Sequence, residues 1–481
     1  METITLGKDL RISRVLTGLW QIADMERDGT DLNPDTTAKA MEPYAAAGLT
    51  TFDMADHYGS AEIIAGRFKN KHPQPDSIQL LTKWVPEPGK VTRTTVREAV
   101  QRALDRMQAQ RIDLMQFHAW NYADPNWLDA LFWLQELKSE GLIREIGLTN
   151  FDTVHLEMAL AAGISIVSNQ VCYSLLDQRA AGDMTRVCEK YGVKILAFGT
   201  IAGGFLTEKW LGQPEPAMDD LETWSQMKYK RFIDTAGGWE PYQQLLQTLS
   251  AVAANTGHSM AAVASRYMLE QPAVGGVIIG ARLGKSQHVA ENVRLGSFQL
   301  PQEARQQIQS ALQQLQPIPG DCGDEYRKPP FLTASGDLSH HLENIPPPYG
   351  KTTDPDGTER VFTGTVWEPM AGYCRAIKHG NRILVSGTTA THIDRLIGAG
   401  DAAVQTHFVL DKIEGALQSL GASLKDVVRT RIFIKNIHDW EAVTRAHGKR
   451  FSGIFPTNTL VRAELIGEDY LVEIEAEAII R

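Results

Sequence analysis

The 481-residue sequence predicts a closed (β/α)8 barrel followed by a small α+β domain. Eight short apolar runs alternate with longer amphipathic stretches over roughly 300 residues, a typical length for that barrel. The first run carries no glycine fingerprint. A break in composition between Gln316 and Thr365 then separates the barrel from the C-terminal portion of the chain.

The runs, in order, are VLTGLW (15–20), TTFDMAD (50–56), LLTKW (80–84), IDLMQFH (112–118), IREIGLT (143–149), ISIVSNQ (164–170), KILAFG (194–199) and GGVIIG (275–280). Segments with helical spacing follow them, such as REAVQRALDRMQAQ and NWLDALFWLQELKSEG. An open doubly wound sheet is the competing architecture, and it usually brings GxGxxG after its first strand. Here that strand runs into GLWQIAD. Ahead of it, TITLGKDLRIS reads as a hairpin turning on Gly7-Lys8 and capping the closed end of the barrel. The irregular stretch 207–240 falls between the seventh strand and its helix, where long barrel loops are functional or lid-like.

Residues 1–330 form the expected barrel, 331–364 a linker and cap, and 365–481 the second domain. The linker is rich in proline, glycine and polar residues (PIPGDCGDEYRKPP, ENIPPPYGKTTDPDG). Beyond it, YCRAIKHGNRILVSGTTA gives two strands turning at His379-Gly380-Asn381. A helix, the strand VVRTRIFIK, the helix DWEAVTRAHGKRF and two closing strands complete a ββαβαββ order.

The net charge of −10 is dispersed, which gives no support to nucleic-acid binding. Cys172, Cys188, Cys322 and Cys374 form no CxxC pair and read as reduced thiols in a reducing compartment. No run approaches the ~20 apolar residues of a membrane helix, and METITLGKDLRISR lacks a signal-peptide core. A cytoplasmic protein without a membrane span is expected, and no metal cluster is visible.

The chemistry concentrates at strand ends, whose side chains converge on one mouth in a barrel. Asp53 ends the second run, Tyr58 follows it, Lys83 ends the third and His118 ends the fourth. Each alone has an ordinary explanation: a helix cap, a packed ring, a snorkelling lysine, a structural histidine. Together on adjacent strand ends they suggest proton transfer to a carbonyl. A phenol is a poor donor near neutral pH, and an adjacent ammonium lowers its pKa. Lys83 is expected to act so on Tyr58, Asp53 to neutralise Lys83, and His118 to donate a hydrogen bond to the carbonyl oxygen. With no activated serine or cysteine, a hydride donor is the natural partner.

FDMADHYGSAE resembles the FDTAxxYGxAE pattern of the aldo-keto reductases, and the first domain is identified as a member of that family. The resemblance makes Asp53, Tyr58, Lys83 and His118 its catalytic tetrad. It implies that Thr149, Asn150 and Gln170, in IGLTNF and SNQ, hold a nicotinamide carboxamide, with Phe198 stacking on the ring. IIGARLGKSQHVAEN matches a late motif, so Gly280, Arg282 and Lys285 are expected at phosphate, and His288 and Asn292 near the adenine. Cations there favour NADP(H) over NAD(H). Trp20, Trp84 and Trp120 are expected to line the substrate pocket and to suit an apolar or ring-shaped carbonyl compound.

The second domain resembles the Rid/YjgF family of reactive-intermediate deaminases through GYCRAIKHGNRILVSGTTA, GALQSLGASLKDVVRTRIFI and LVEIEAEAI. The resemblance implies a homotrimer with clefts between subunits and hydrolysis of enamines or imines. Tyr373, Ser386 and Glu473 match cleft positions. Asn458 stands where active members carry the arginine that grips a substrate carboxylate, a departure that bears on amino-acid-type imines and leaves binding or hydrolysis of an imine-type ligand open. The two domains together read as an NADP(H)-dependent carbonyl reductase or alcohol dehydrogenase with a trimerising second domain. The alternative is a cofactor-bound redox sensor or scaffold with little turnover.

Overall fold

The computed structural model describes all residues except 28, 286, 287, 329–331 and 334. The expected junction at 330/331 therefore lies outside the described residues. Strands β1 (Thr3–Leu6) and β2 (Leu10–Ser13) pair antiparallel around Gly7, whose φ of +58° suits glycine. Eight parallel strands then close a barrel. They are β3 (Val15–Gly18), β4 (Thr51–Asp53), β5 (Gln79–Trp84), β6 (Ile112–Phe117), β7 (Ile143–Thr149), β8 (Ile166–Cys172), β9 (Lys194–Phe198) and β10 (Val274–Gly280), with β10 pairing back onto β3. All eight apolar runs are strands of this barrel.

Leu6, Leu10 and Ile12 of the hairpin pack with Leu16, Leu81, Leu114, Leu196 and Ile278 inside the barrel. This apolar layer plugs the closed end and excludes water from beneath the mouth. Strand side chains alternate faces with period two. Two residues beyond Leu81, Leu114 and Leu196 stand Lys83, Gln116 and Phe198. The plug and the polar layer above it are thus set by one alternation.

The second domain is a seven-stranded sheet of β11 (Lys351–Thr353), β12 (Glu359–Val361), β13 (Ala376–His379), β14 (Arg382–Thr389), β17 (Val427–Ile434), β18 (Thr457–Arg462) and β19 (Val472–Ile479). Two short strands, β15 (Thr391–His392) and β16 (Arg395–Leu396), form a separate ribbon. The sheet order is β11-β12-β13-β14-β19-β17-β18, with only β17 and β18 parallel. The first two strands fall within 331–364, and β12 pairs with β13. DPDG at 354–357 is a turn signal inside that stretch, and Asp354 and Thr358 close it with a 2.8 Å bond.

The helix Ala402–Ser419 lies between this sheet and the barrel. Asn121 donates to Gln418 at 2.8 Å, and His155 Nε2 lies 3.0 Å from Asp411 Oδ2. His392 Nε2 meets Asp129 at 2.9 Å. The helix is buried on nearly every side, its charged Asp411 and Lys412 included. A carboxylate survives there because it is paired: Arg450 and His155 both contact Asp411.

Candidate active site

Asp53 closes β4, and Tyr58 follows in the loop before the helix Ala61–Lys71. Lys83 points inward from β5 and donates to Asp53 Oδ2 at 2.6 Å and to the Met54 carbonyl at 2.8 Å. Gln170 Nε2 donates to Asp53 Oδ1 at 2.7 Å and Gln116 Nε2 to the same oxygen at 3.1 Å. Three donors therefore fix one buried carboxylate. Gln116 was not singled out from the sequence, although it precedes His118 by two residues and so shares its face.

Asp53, Lys83 and Gln170 line one cavity of about 560 Å³ with Tyr58, His118, Thr149, Asn150 and Phe198. Trp20 packs edge-on to Tyr58 at 5.0 Å and near Trp224 at 5.8 Å. Trp120 packs against His118 at 4.3 Å and donates its Nε1–H to the Pro86 carbonyl at 2.8 Å. Trp84 does not line the cavity: next to Lys83 on one strand, it must face the other way, and it packs on Phe117 at 5.2 Å.

The electrostatics differ from expectation at two groups. Burial, then the Asp53 charge, pushes the Tyr58 phenol well above its ordinary pKa. Lys83 sits 4.9 Å from the Tyr58 ring centroid, but its ammonium is held by Asp53. The cation opposing the rise is Lys228. Tyr58 is therefore a neutral phenol with its proton in place. Lys83 is itself pulled down by burial, against Asp53, which favours its charged form.

Burial, then Arg327, holds His118 well below its ordinary pKa, so the ring is neutral. Its Nδ1 lies 3.4 Å from the Thr149 carbonyl oxygen, which can only accept. That contact suits a hydrogen on Nδ1, and Nε2 is buried without a partner among the described residues.

The cavity suits a nicotinamide. Asn150 adopts φ +58° at the end of β7, and its buried Oδ1 is without a partner among the described residues, as an amide acceptor would be before a carboxamide arrives. Thr149 Oγ1 and the Asn150 N–H both bond the Gln170 carbonyl, at 3.3 and 2.8 Å. The Gln170 amide nitrogen is engaged by Asp53 and Gln116. Gly280, Arg282 and His288 line the cavity, with Arg282 3.7 Å from Asp24. Lys285 and Asn292 do not line it: Lys285 lies in an exposed turn, and Asn292 is buried in the helix Val289–Leu295.

Three further cavity residues went unforeseen. Lys228 comes from the helix Trp224–Thr235 in the long stretch after β9, and Tyr326 and Asp337 come from the chain that leaves the barrel. The only sequence signal was the length of that stretch.

In the second domain, Tyr373 and Ser386 line one open cavity with Arg360 and Glu368. Arg375 donates to the Tyr373 hydroxyl at 3.1 Å. Burial raises Glu473, against Arg375, and its carboxylate lies against Gly387. Asn458 is not brought to them. It sits on β18 at the far edge of the sheet and donates to Thr430 at 2.9 Å.

Among the described residues no helix is long and apolar enough to cross a membrane. Residues 14–313 match the model of the Aldo/keto reductase family, and residues 364–480 match that of Endoribonuclease L-PSP. An uncharacterized oxidoreductase of Bacillus subtilis is 27% identical over 321 residues, covering 64% of this chain and 94% of its own. An uncharacterized protein of Streptomyces coelicolor is 36% identical over 124 residues, covering 26% of this chain and 92% of its own. The holo form of an aldo-keto reductase from Bacillus halodurans superposes with a TM-score of 0.50 at 25% identity, covering 65% of this chain and 96% of that one. The barrel, its strand-end carboxylate, lysine and histidine, and the matched span agree: this chain belongs to the aldo/keto reductase family and carries a fused Rid/YjgF domain at its C-terminal side.

Proposed function

We propose that the barrel interconverts an aldehyde or ketone and its alcohol with NADP(H). The observation that carries this reading is one cavity shared by Asp53, Tyr58, Lys83 and His118 with two buried polar atoms that have no partner among the described residues, His118 Nε2 and Asn150 Oδ1. The dinucleotide, when bound, supplies or takes the hydride. Tyr58 gives its O–H proton to the carbonyl oxygen in reduction and recovers it in oxidation. Lys83 and Asp53 set the charge beneath it. His118 Nε2 accepts the hydrogen of a hydroxyl and so orients the alcohol. Asn150, Thr149 and Gln170 hold the carboxamide, and Phe198 stacks on the ring.

The preference for NADP(H) rests on Arg282 at the cavity rim and the exposed Lys285 three residues on. The 3.7 Å pair of Arg282 with Asp24 is long enough to yield to a phosphate. Gly280 and His288 line the same cavity.

The second domain is read as a homotrimerising unit. Asn458 lies across the sheet from Tyr373 and Ser386, which supports a cleft completed between copies. Phe455 and Ile466, 83% and 86% exposed, leave apolar surface for that contact. Such a cleft is read as binding or hydrolysing an imine-type ligand, and the division into 1–330, 331–364 and 365–481 as functional.

The test is turnover of a nitrobenzaldehyde with NADPH and with NADH. Sustained oxidation of NADPH, faster than of NADH and lost in Tyr58→Phe, is expected. A Tyr58→Phe protein as fast as the parent sinks the reading, and a single slow oxidation event would instead mark a redox sensor.

A further inference from the structure

Lys228 is the one lysine besides Lys83 that is buried among the described cavity residues, and the tetrad chemistry does not use it. Its side chain is 6% exposed. The ammonium lies over three aromatic rings: Tyr326 at 4.7 Å, Phe198 at 5.0 Å and Tyr229 at 5.8 Å. It donates one hydrogen bond, to the Tyr326 hydroxyl at 2.6 Å. Asp337 Oδ2 stands at 3.6 Å, close enough to attract and too far to bond. An ammonium has three N–H donors. Two of them find no acceptor within bonding distance among the described residues.

A buried ammonium is costly unless its charge and its hydrogens are met. Burial would lower its pKa, but Asp337 and its other neighbours outweigh that and hold it raised, so the group is charged. Its field reaches Tyr58, and its partner Tyr326 packs 5.8 Å from His118. The charge therefore sits beside the place where the carbonyl must lie. Trp20, Trp120 and Trp224 supply flat walls in the same cavity.

We infer that Lys228 recognises a carboxylate on the substrate, so that the preferred substrate is a ring-bearing carbonyl acid. The Asp337 carboxylate already beside the ammonium shows that the site accommodates this charge, and a ligand carboxylate closing to hydrogen-bond distance completes the unmet donors. This inference rests on the reductase reading for its chemistry but not for its binding.

The test compares 3- and 4-carboxybenzaldehyde with their neutral methyl esters, with NADPH, in the parent, Lys228→Met and Lys228→Arg. Taking the acid-to-ester ratio of kcat/KM within each protein cancels any general loss. The better acid is expected to exceed its ester by about tenfold or more in the parent, the order of a desolvated charge pair. The ratio should collapse toward one in Lys228→Met and recover in part in Lys228→Arg. A parent ratio near one, or a ratio kept in Lys228→Met, overturns the inference. So does a Lys228→Met protein whose only defect is weaker NADPH binding, which would give the ammonium to the dinucleotide's phosphates. Calorimetric binding of benzoate against benzamide to the parent needs no turnover. An inert protein that still prefers benzoate would sink the reductase reading and spare this one.

Discussion

Lys83 Nζ and Asp53 Oδ2 lie 2.6 Å apart at the barrel mouth, both side chains 4% exposed. Removing one partner leaves the other buried and uncompensated. Asp53→Ala is expected to cost about 3–5 kcal/mol of unfolding free energy, as breaking buried pairs does. Denaturant melts of Asp53→Ala, Lys83→Met and the double variant check this, and the double variant should lose less than the sum.

The raised Tyr58 pKa fixes a pH profile. Reduction needs the phenol protonated, so its rate persists below the raised pKa and falls only above it. The kcat for reduction should show no alkaline limb up to about pH 10, the ordinary tyrosine value. A limb centred near pH 8 would contradict a neutral, buried phenol.

Asn150 Oδ1 is buried with no partner among the described residues. Asn150→Gly keeps a residue tolerant of the +58° φ and removes the acceptor. Dinucleotide affinity should fall about fivefold to tenfold, the worth of one hydrogen bond, with the apo melting temperature little changed. Fluorescence titration with NADPH reads the first and calorimetry the second.

His155 joins the two domains, with Nδ1 2.6 Å from Asp152 and Nε2 3.0 Å from Asp411, and its ring stacked 3.5 Å from that of Tyr122. Burial alone would lower it, but the two carboxylates outweigh burial and raise it. Arg450 also faces Asp411, and His407, pulled down to about 3 chiefly by burial, stays neutral beside them. A raised histidine contributes stability that is full below its unfolded pKa of about 6.5 and is lost as pH rises through the folded value. Asp152 and Asp411 are lowered, so their share holds above about pH 4 and fades in more acid solution. The melting-temperature gap between the parent and His155→Gln should be widest near pH 5–6 and narrow at pH 9.

Gly415 brings the helix Ala402–Ser419 against the barrel: a Cβ there would meet the Ala123 carbonyl and the Tyr349 ring. Gly415→Leu should destabilise the domain contact by about 1–3 kcal/mol, the usual cost of overpacking. A single melting transition in the parent that splits into two in the variant would show it. An unchanged single transition would show that the contact carries no coupling.

The sequence alone determined the eight strands, their order and the hairpin plug, because burial on both faces writes each strand as an apolar run. It also determined the strand-end positions of Asp53, Lys83 and His118, since the period-two alternation of a strand is local. The second domain was legible for the same reason, apart from the β11–β12 hairpin, whose proline-rich surroundings read as linker. Tertiary structure decided what depends on distance between remote segments. It turned Trp84 outward, set His118 Nδ1 beside the Thr149 carbonyl, and carried Lys228, Tyr326 and Asp337 into the mouth. Charges and hydrogen bonds act through space over a few ångströms. Residues 98 and 109 positions apart, such as Lys228 with Tyr326 and with Asp337, leave no local pattern for the chain to display.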